Sequence, residues 1–363
     1  MNITFVTSSA GTGGAEKMLY FLASSLKDRG HNVCVLNLDL TKDYDMSQRY
    51  NVRTVNLEGD YRGPILTNYG WIRFVCREAK KNKAEVLIGF LEHGNFCVSV
   101  AGKLLHIPSI IAERGDPFTT FKHISKTVKI KLSCINHADG AVFQTEGASR
   151  FYSRHLQRNC AIIPNPIFLE GDIPQIDYSS RPKTVVLLGR LDNKQKRLDI
   201  AVASFALFHE SHPDYTLIVY GVGPDKDFML NIIEEKGITE FVEFRGKTAK
   251  PLQSLSKEGI FLISSDYEGI SNSLLEAMAV GLPVVSTDHS PGGARMLIQD
   301  HVNGLLAPVA DVSALASALS EFADDKALAE KCGNNAKSIL DRFTPERAIS
   351  LWESYICRII SNY

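Results

Sequence analysis

Residues 260–287 read IFLISSDYEGISNSLLEAMAVGLPVVST. An apolar run, IFLISS, leads into a polar turn. A helix-length segment follows, and then a second apolar run, PVVST. Short apolar runs bounded by turn residues predict strands buried on both faces. Gly281 and Pro283 close the helix between them. Strand, helix and strand in succession form the unit of a parallel α/β sheet.

The same alternation extends along the chain. ITFVTS, NVCVLNL, VRTVNL, EVLIGF, PSIIAE and GAVFQT are the predicted strands of the first half. TVVLLG, TLIVYG, VEFRG, IFLISS and PVVST are those of the second. Residues 15–29, AEKMLYFLASSLKDR, set Met18, Leu19, Leu22, Ala23 and Leu26 on one helical face. The stretch 164–183 carries Pro164, Pro166, Pro174 and Pro182 without a helical period, and reads as an interdomain linker. The tail from Pro345 returns to a helical pattern, with Ala348, Leu351, Trp352, Tyr355, Ile356 and Ile359 as its apolar face.

A chain of 363 residues suits two domains. Its 44% hydrophobic and 22% charged residues indicate a globular protein rather than a disordered one. A formal net charge of -1 gives no support for nucleic acid as a partner. The seven cysteines form no CxxC pair, so neither a zinc site nor a disulfide framework is expected. The N-terminus lacks the pattern of a signal peptide, and no apolar run reaches the ~18 residues of a membrane span. The expected location is cytoplasmic.

Three stretches carry candidate chemistry. In EGISNSLLE, Ser273 and Glu276 fit a capping box, with serine as cap and glutamate reaching back. That reading leaves Glu268 and Gly269 unexplained. They follow a buried strand, at the end where open α/β sheets bind ligands. The adjoining helix N-terminus suits a phosphate. In TVVLLGRLDNKQKRLD, residues 184–199, Arg190 follows a buried strand and Lys194, Lys196 and Arg197 come soon after. Such cations form either a diphosphate clamp or a solvated basic loop. In TSSAGTGGAE, residues 7–16, a strand enters a Gly-rich turn that matches neither a P-loop nor a dinucleotide fingerprint.

Together these stretches resemble the retaining glycosyltransferases of family 4. Glu268 and Glu276 have the spacing of the family's E-x7-E signature, and EGISNSLLEAMAVGLPVVST is similar to its pattern throughout. GRLDNKQKRLD resembles its Gly-Arg…Lys phosphate motif, GTGGAE its N-terminal Gly-Gly loop, and IPNPI its crossover into the linker. Two lysines compete for the phosphate role, and KRLD favours Lys196 over Lys194.

The resemblance implies an α/β GT-B fold. Two Rossmann-like, doubly wound domains would face a cleft, with a C-terminal helix crossing back. The expected domains are 1–168 with 346–363 on the acceptor side, and 169–345 on the nucleotide-sugar side. The implied reaction moves a hexosyl or N-acetylhexosaminyl group from a nucleotide diphosphate sugar, by family frequency a UDP-sugar, with retention of configuration. The acceptor would be a glycan or polyprenyl-linked glycan of surface-polysaccharide synthesis. Arg190 and Lys196 would neutralise the diphosphate, with Asn272, Ser273 and Leu274 adding N–H donors. Glu268 would bind the sugar and Glu276 the ribose, and Gly269, Ile270 and Ser271 complete the substrate-binding turn. Gly13 and Gly14 would lie near phosphate and acceptor, with Arg245 and Lys247 bracketing the base. His93, after EVLIGF, would stand near the anomeric centre. Glu113 and Arg114 would either face the acceptor or pair with each other.

No cofactor and no metal are expected. Asp43-Tyr-Asp45 is formally a DxD motif, but it falls in a polar loop remote from the phosphate residues. Residues 118–135 read FTTFKHISKTVKIKLSCI. Phe118, Phe121, Ile124, Val128, Leu132 and Ile135 can share one face and Lys122, Lys126 and Lys129 another, which suits either an anionic membrane surface or an ordinary solvated helix. Peripheral contact with the inner face of the plasma membrane is therefore one option. Three rivals share parts of this reading. A nucleotide-sugar epimerase would need no acceptor. A Rossmann oxidoreductase would need a cleaner GxGxxG. A two-domain solute-binding protein would not explain the Arg190–Lys196 and Glu268–Glu276 groups.

Overall fold

Val86–Phe90, VLIGF, is buried at every residue. So are Ser109–Glu113, Ile260–Ile263 and Val284–Thr287. Strands apolar on both sides need cover on both faces, and parallel sheets with helical crossovers provide it. A computed structural model of the chain, describing residues 1–8, 13–38, 46–57, 64–122, 125–169, 171, 173–174 and 176–363, has this arrangement twice. It is a GT-B fold. One unit comprises Met1–Asn165 and Pro345–Tyr363, the other Pro166–Thr344. The sequence reading put these breaks after 168 and after 345.

The strands of the first unit are β1 (Asn2–Thr7), β2 (Asn32–Asn37), β3 (Arg53–Asn56), β4 (Val86–Phe90), β5 (Ser109–Glu113), β6 (Gly140–Phe143) and β7 (Cys160–Ile162). Their order is β3-β2-β1-β4-β5-β6-β7. The second unit has β8 (Thr184–Leu188), β9 (Thr216–Tyr220), β10 (Val242–Gly246), β11 (Ile260–Ile263), β12 (Val284–Thr287) and β13 (Leu305–Ala307), in the order β10-β9-β8-β11-β12-β13. The ladders are parallel. Strand order reverses between β1 and β4, and again between β8 and β11. These are the topological switch points where open α/β sheets place ligands. The sequence reading missed β7 and β13. Each has three residues, too few for a periodic signal.

Side chains of each strand alternate between two cores. Ile3 and Phe5 of β1 and Val86, Ile88 and Phe90 of β4 enter one. Val6 and Leu87 enter the other. In the second unit Val185 and Leu187 face one core, and Val186 the opposite one. The expected face of the helix Gly14–Asp28, from Met18 to Leu26, is buried.

The C-terminal helix Pro345–Ser361 packs on the first unit. Trp352 is fully buried and stacks on Phe90, ring centroids 6.0 Å apart. Burying such a side chain contributes about 2–3 kcal/mol. The Tyr355 hydroxyl accepts from the Ala141 N–H at 2.7 Å and donates to the Asn159 carbonyl. Leu351 does not belong to the buried face. It is 43% exposed, and Ile349 is buried in its stead.

Residues 118–135 are not one amphipathic helix. A short helix, Pro117–Thr120, is capped by Asp116, and a second, Lys126–Ile135, is capped by Ser125. Two caps so close together interrupt the helical period. Phe121 is buried against Phe151, and Val128, Leu132 and Ile135 join the core of the first unit. Most of that apolar face is thus taken up by the protein itself, while Phe118 stays 47% exposed. Lys122, Lys126 and Lys129 are exposed, and Ile124 lies outside the described residues. Among the described residues no helix is long and apolar enough to cross a membrane.

Candidate functional site

The residues singled out in the second unit meet at its switch point. β8 ends at Leu188, and the Gly189 N–H is held by the Tyr220 carbonyl at 3.0 Å. Arg190 follows, exposed. Asp192 then caps a single helical turn, Asn193–Lys196, by accepting from the Lys194 N–H at 3.2 Å. Arg197 adopts a left-handed φ of 49°. Its guanidinium is bonded to Asp199 and Asp266, at 3.0 Å each. Arg197 therefore leaves the proposed clamp, because both its neighbours in space are acidic.

The end of β11 locks onto this turn. The Ser264 hydroxyl donates to the Lys196 and Arg197 carbonyls at 2.7 and 3.0 Å. The Asp266 N–H donates to the Gln195 carbonyl at 3.0 Å. Lys196 reaches inward and donates to Glu268, which is buried. Glu268 also accepts from Gln195 Nε2 at 3.0 Å and from the Ser265 hydroxyl at 3.1 Å. Gly189, Arg190, Lys196, Ser264, Ser265 and Ser273 line one cavity. Lys194 is exposed and does not line this cavity. Of the two competing lysines, the structure brings Lys196 to the site.

The helix Asn272–Val280 begins beside this cavity. Its cap is Ser271, whose Oγ accepts from the Leu274 N–H at 3.4 Å. The capping box drawn around Ser273 and Glu276 is thus displaced. Ser271 holds the extended backbone a cap requires, while Ser273 is already helical and only touches Ser271 Oγ at 3.1 Å. Glu276 stands beyond the first turn, half-buried. Gly281 closes the helix with φ 84°, as its sequence position predicts. Gly269 and Ile270 are buried in the turn before it.

Arg245 is tied to neighbours within its own unit. It is bonded to Glu243 at 2.8 Å, to the Tyr220 hydroxyl at 2.9 Å and to Glu258 at 2.6 Å. Glu258 is 1% exposed and also accepts from Thr184. A buried carboxylate draws the nearest cation, so Arg245 clips the edge strand. Lys247 is exposed two residues on.

In the first unit, His93 lies in the helix Leu91–Leu105, after β4 at the switch point. Its ring centroid is 4.8 Å from that of Trp71, and its Nδ1 3.8 Å from Glu92 Oε1. The Lys131 ammonium lies 4.0 Å from the same oxygen and 5.6 Å from the Phe96 ring centroid. Burial, then Lys131, lowers the His93 pKa against the pull of Glu92. Gly13 caps the helix Gly14–Asp28 after β1. Glu113 and Arg114 do not pair through their side chains. Glu113 accepts from the Arg114 and Gly115 N–H groups at 3.0 Å and from the Tyr152 hydroxyl at 2.7 Å. The Arg114 guanidinium binds Asn165 and the Ile163 carbonyl. Burial pulls its pKa down to about 9. Asp43 and Asp45 lie outside the described residues.

Three residues of the site escaped the sequence reading. Gln195 stands between Lys194 and Lys196, whose charges are the stronger signal. Ser265 looked like strand. His289 follows PVVST at a strand's carboxyl end, and the rule that singled out Arg190 and Glu268 would have found it.

Residues 172–339 match the family described as Glycosyl transferases group 1. A Campylobacter jejuni protein, GalNAc-alpha-(1->4)-GalNAc-alpha-(1->3)-diNAcBac-PP-undecaprenol alpha-1,4-N-acetyl-D-galactosaminyltransferase, is 24% identical over 99% of both chains. An exopolysaccharide phosphotransferase of Streptomyces coelicolor is 31% identical over 62% of this chain, which spans only 24% of that protein. The structure of Anabaena HepE in complex with UDP superposes with a TM-score of 0.81 at 18% identity, covering 99% of this chain and 100% of the other.

Proposed function

We propose, for a chain that belongs to the group 1 glycosyl transferases through residues 172–339, that it transfers a hexosyl or N-acetylhexosaminyl group from a UDP-sugar to a glycan or lipid-linked glycan. The transfer retains anomeric configuration and serves surface-polysaccharide synthesis. One observation carries this reading. At the switch point Arg190 and Lys196, after β8, line one cavity with Ser273 of the helix Asn272–Val280, and Lys196 reaches Glu268. The relatives supply the substrate classes. The Campylobacter protein is named for an undecaprenol-diphosphate-linked acceptor, and HepE was solved with UDP.

Departure of a nucleoside diphosphate builds negative charge, which fixed cations and helix N–H groups stabilise. Arg190, Lys196 and the first turn from Asn272 to Leu274 take that role. Glu276 binds the ribose, and Glu268 the hydroxyls of the transferred sugar, with Gly269, Ile270 and Ser271 shaping the turn. Lys247 stands at the base. Arg245 holds the strand beneath it. No protein nucleophile is needed. The acceptor hydroxyl attacks C1 on the face the diphosphate leaves, and its proton passes to the departing phosphate oxygen. His93 faces the transferred sugar, and Gly13 and Gly14 let backbone approach phosphate and acceptor. Glu113 and Arg114 support that side from within the fold. No metal enters this scheme.

The test is thermal stabilisation by UDP, GDP, ADP and their sugars, with and without EDTA. Wild type is compared with Glu276→Gln and Arg190→Ala. Ligand at ~100 times its Kd adds about 2.7 kcal/mol of stability. A shift confined to uridine nucleotides, indifferent to EDTA and lost in both variants, is expected. A shift that survives both substitutions sinks the site. Product NMR on an undecaprenyl-diphosphate glycan then reads the anomeric configuration, and inversion would refute retention.

A further inference from the structure

We infer that His289 is a positioning residue for Glu268, taking over that carboxylate when Lys196 turns to a donor diphosphate. The inference rests on the donor-site reading above.

Glu268 is buried, and in this structure Lys196 neutralises it. If Lys196 serves the diphosphate, it must let go. Gln195 and Ser265 remain as donors, but both are neutral. A buried carboxylate without a cation is strongly disfavoured. The site needs a second source of positive charge, and His289 is placed to supply it.

His289 follows β12 and is 1% exposed. Neither of its ring nitrogens has a side-chain hydrogen-bond partner among the described residues, and only the Ser290 backbone acts on the ring as a hydrogen-bonding group. A buried polar group without a partner costs stability, and an apolar ring of similar shape would avoid that cost. The loop around it is tied to the Glu268 loop. The Glu268 N–H donates to the Ser290 carbonyl at 2.8 Å, and the Ser290 N–H to the Asp266 carbonyl at 3.3 Å. A Cβ on Gly293 would stand 1.9 Å from the Gly269 carbonyl oxygen and 3.2 Å from His289 Cε1. Only glycine lets these loops close so tightly.

The charged groups acting on His289 are Glu268, Lys196 and Asp288, the last bound by Arg295 at 2.8 Å. Burial lowers its pKa below the ordinary histidine value, against the pull of Glu268. At neutral pH the imidazole is therefore uncharged while Lys196 holds Glu268. When Lys196 leaves, the imidazole takes a proton from solvent, and the imidazolium balances the carboxylate. Donor binding is thereby coupled to uptake of a proton.

NMR titration of the His289 ring tests this without any ligand. In Lys196→Met its pKa should rise by about one unit or more. The rise should vanish in Lys196→Met/Glu268→Gln, and Lys196→Arg should stay near wild type. An unmoved pKa in Lys196→Met, or a rise that survives Glu268→Gln, overturns the inference. Calorimetry with UDP-N-acetylgalactosamine at pH 6.5, in two buffers of different ionisation heat, gives a second readout. Proton uptake is expected in wild type and lost in His289→Phe, with His289→Gln used should the first variant not fold. Binding without proton uptake overturns the inference. Absence of binding counts against the donor reading alone, and the titration still decides the role of His289.

Discussion

Lys196 donates to the Oε1 atom of Glu268, joining the turn after β8 to the segment after β11. The side chains are 21% and 10% exposed, so the pair is largely withdrawn from water. Removing one partner of such a pair costs more than removing both. Lys196→Ala should lower unfolding free energy by about 1–3 kcal/mol. Adding Glu268→Gln should restore at least half of that loss. A double-mutant cycle in urea measures the coupling, and strict additivity would mean the pair is not formed in solution.

The cap of the Asn272–Val280 helix is a second point of measurement. Ser271→Ala should cost about 1 kcal/mol by loss of the bond to the Leu274 N–H. Ser273→Ala should stay within about 0.5 kcal/mol. The opposite ranking in denaturant unfolding would reinstate the capping box around Ser273.

Arg245 and Glu258 separate a structural clip from a base reader. Arg245→Ala leaves the buried Glu258 carboxylate without its cation and should cost about 2 kcal/mol. Glu258→Gln in the same chain should recover stability. Nucleotide affinity of that double variant, measured by calorimetry, should match wild type. A large loss of affinity with stability recovered would return Arg245 to the base.

Lys131 and Glu92 flank His93 with opposite effects on its charge. Lys131→Met removes a nearby cation and frees Glu92, so the His93 pKa must rise. NMR titration of the ring in both proteins checks the direction. A fall would mean that packing against Trp71, rather than charge, sets the value.

Acid sensitivity follows from the buried histidine of the second unit. The folded pKa of His289 lies below its unfolded value of about 6.5. Between the two, the unfolded chain binds more protons, so this group's contribution to stability falls as pH drops through that window. Glu113 has a raised pKa and acts in the opposite sense below it. Comparing variants isolates the histidine. The loss of urea-unfolding free energy between pH 7.5 and 5.5 should be smaller in His289→Phe than in wild type, and equal losses would refute the assignment.

The sequence by itself determined the α/β architecture. Runs such as VLIGF and IFLI are apolar throughout, and only parallel strands covered on both faces can bury them. It also determined that Arg190 and Glu268 follow such strands, because strand ends are legible from where apolar runs stop. What it left open depended on partners distant along the chain. Ser271 rather than Ser273 caps the helix because of the backbone angle at that turn. Arg197 and Arg245 look like free cations until folding brings Asp266 and Glu258 to them. Residues 118–135 read as one amphipathic surface, although Phe121, Val128, Leu132 and Ile135 belong to a core built from the rest of their unit. His289 follows a strand end in the sequence, as Arg190 and Glu268 do, but its burial is not legible there. Only the closure of two loops through Gly269 and Gly293 buries it beside Glu268, because burial and electrostatics are properties of neighbours in space.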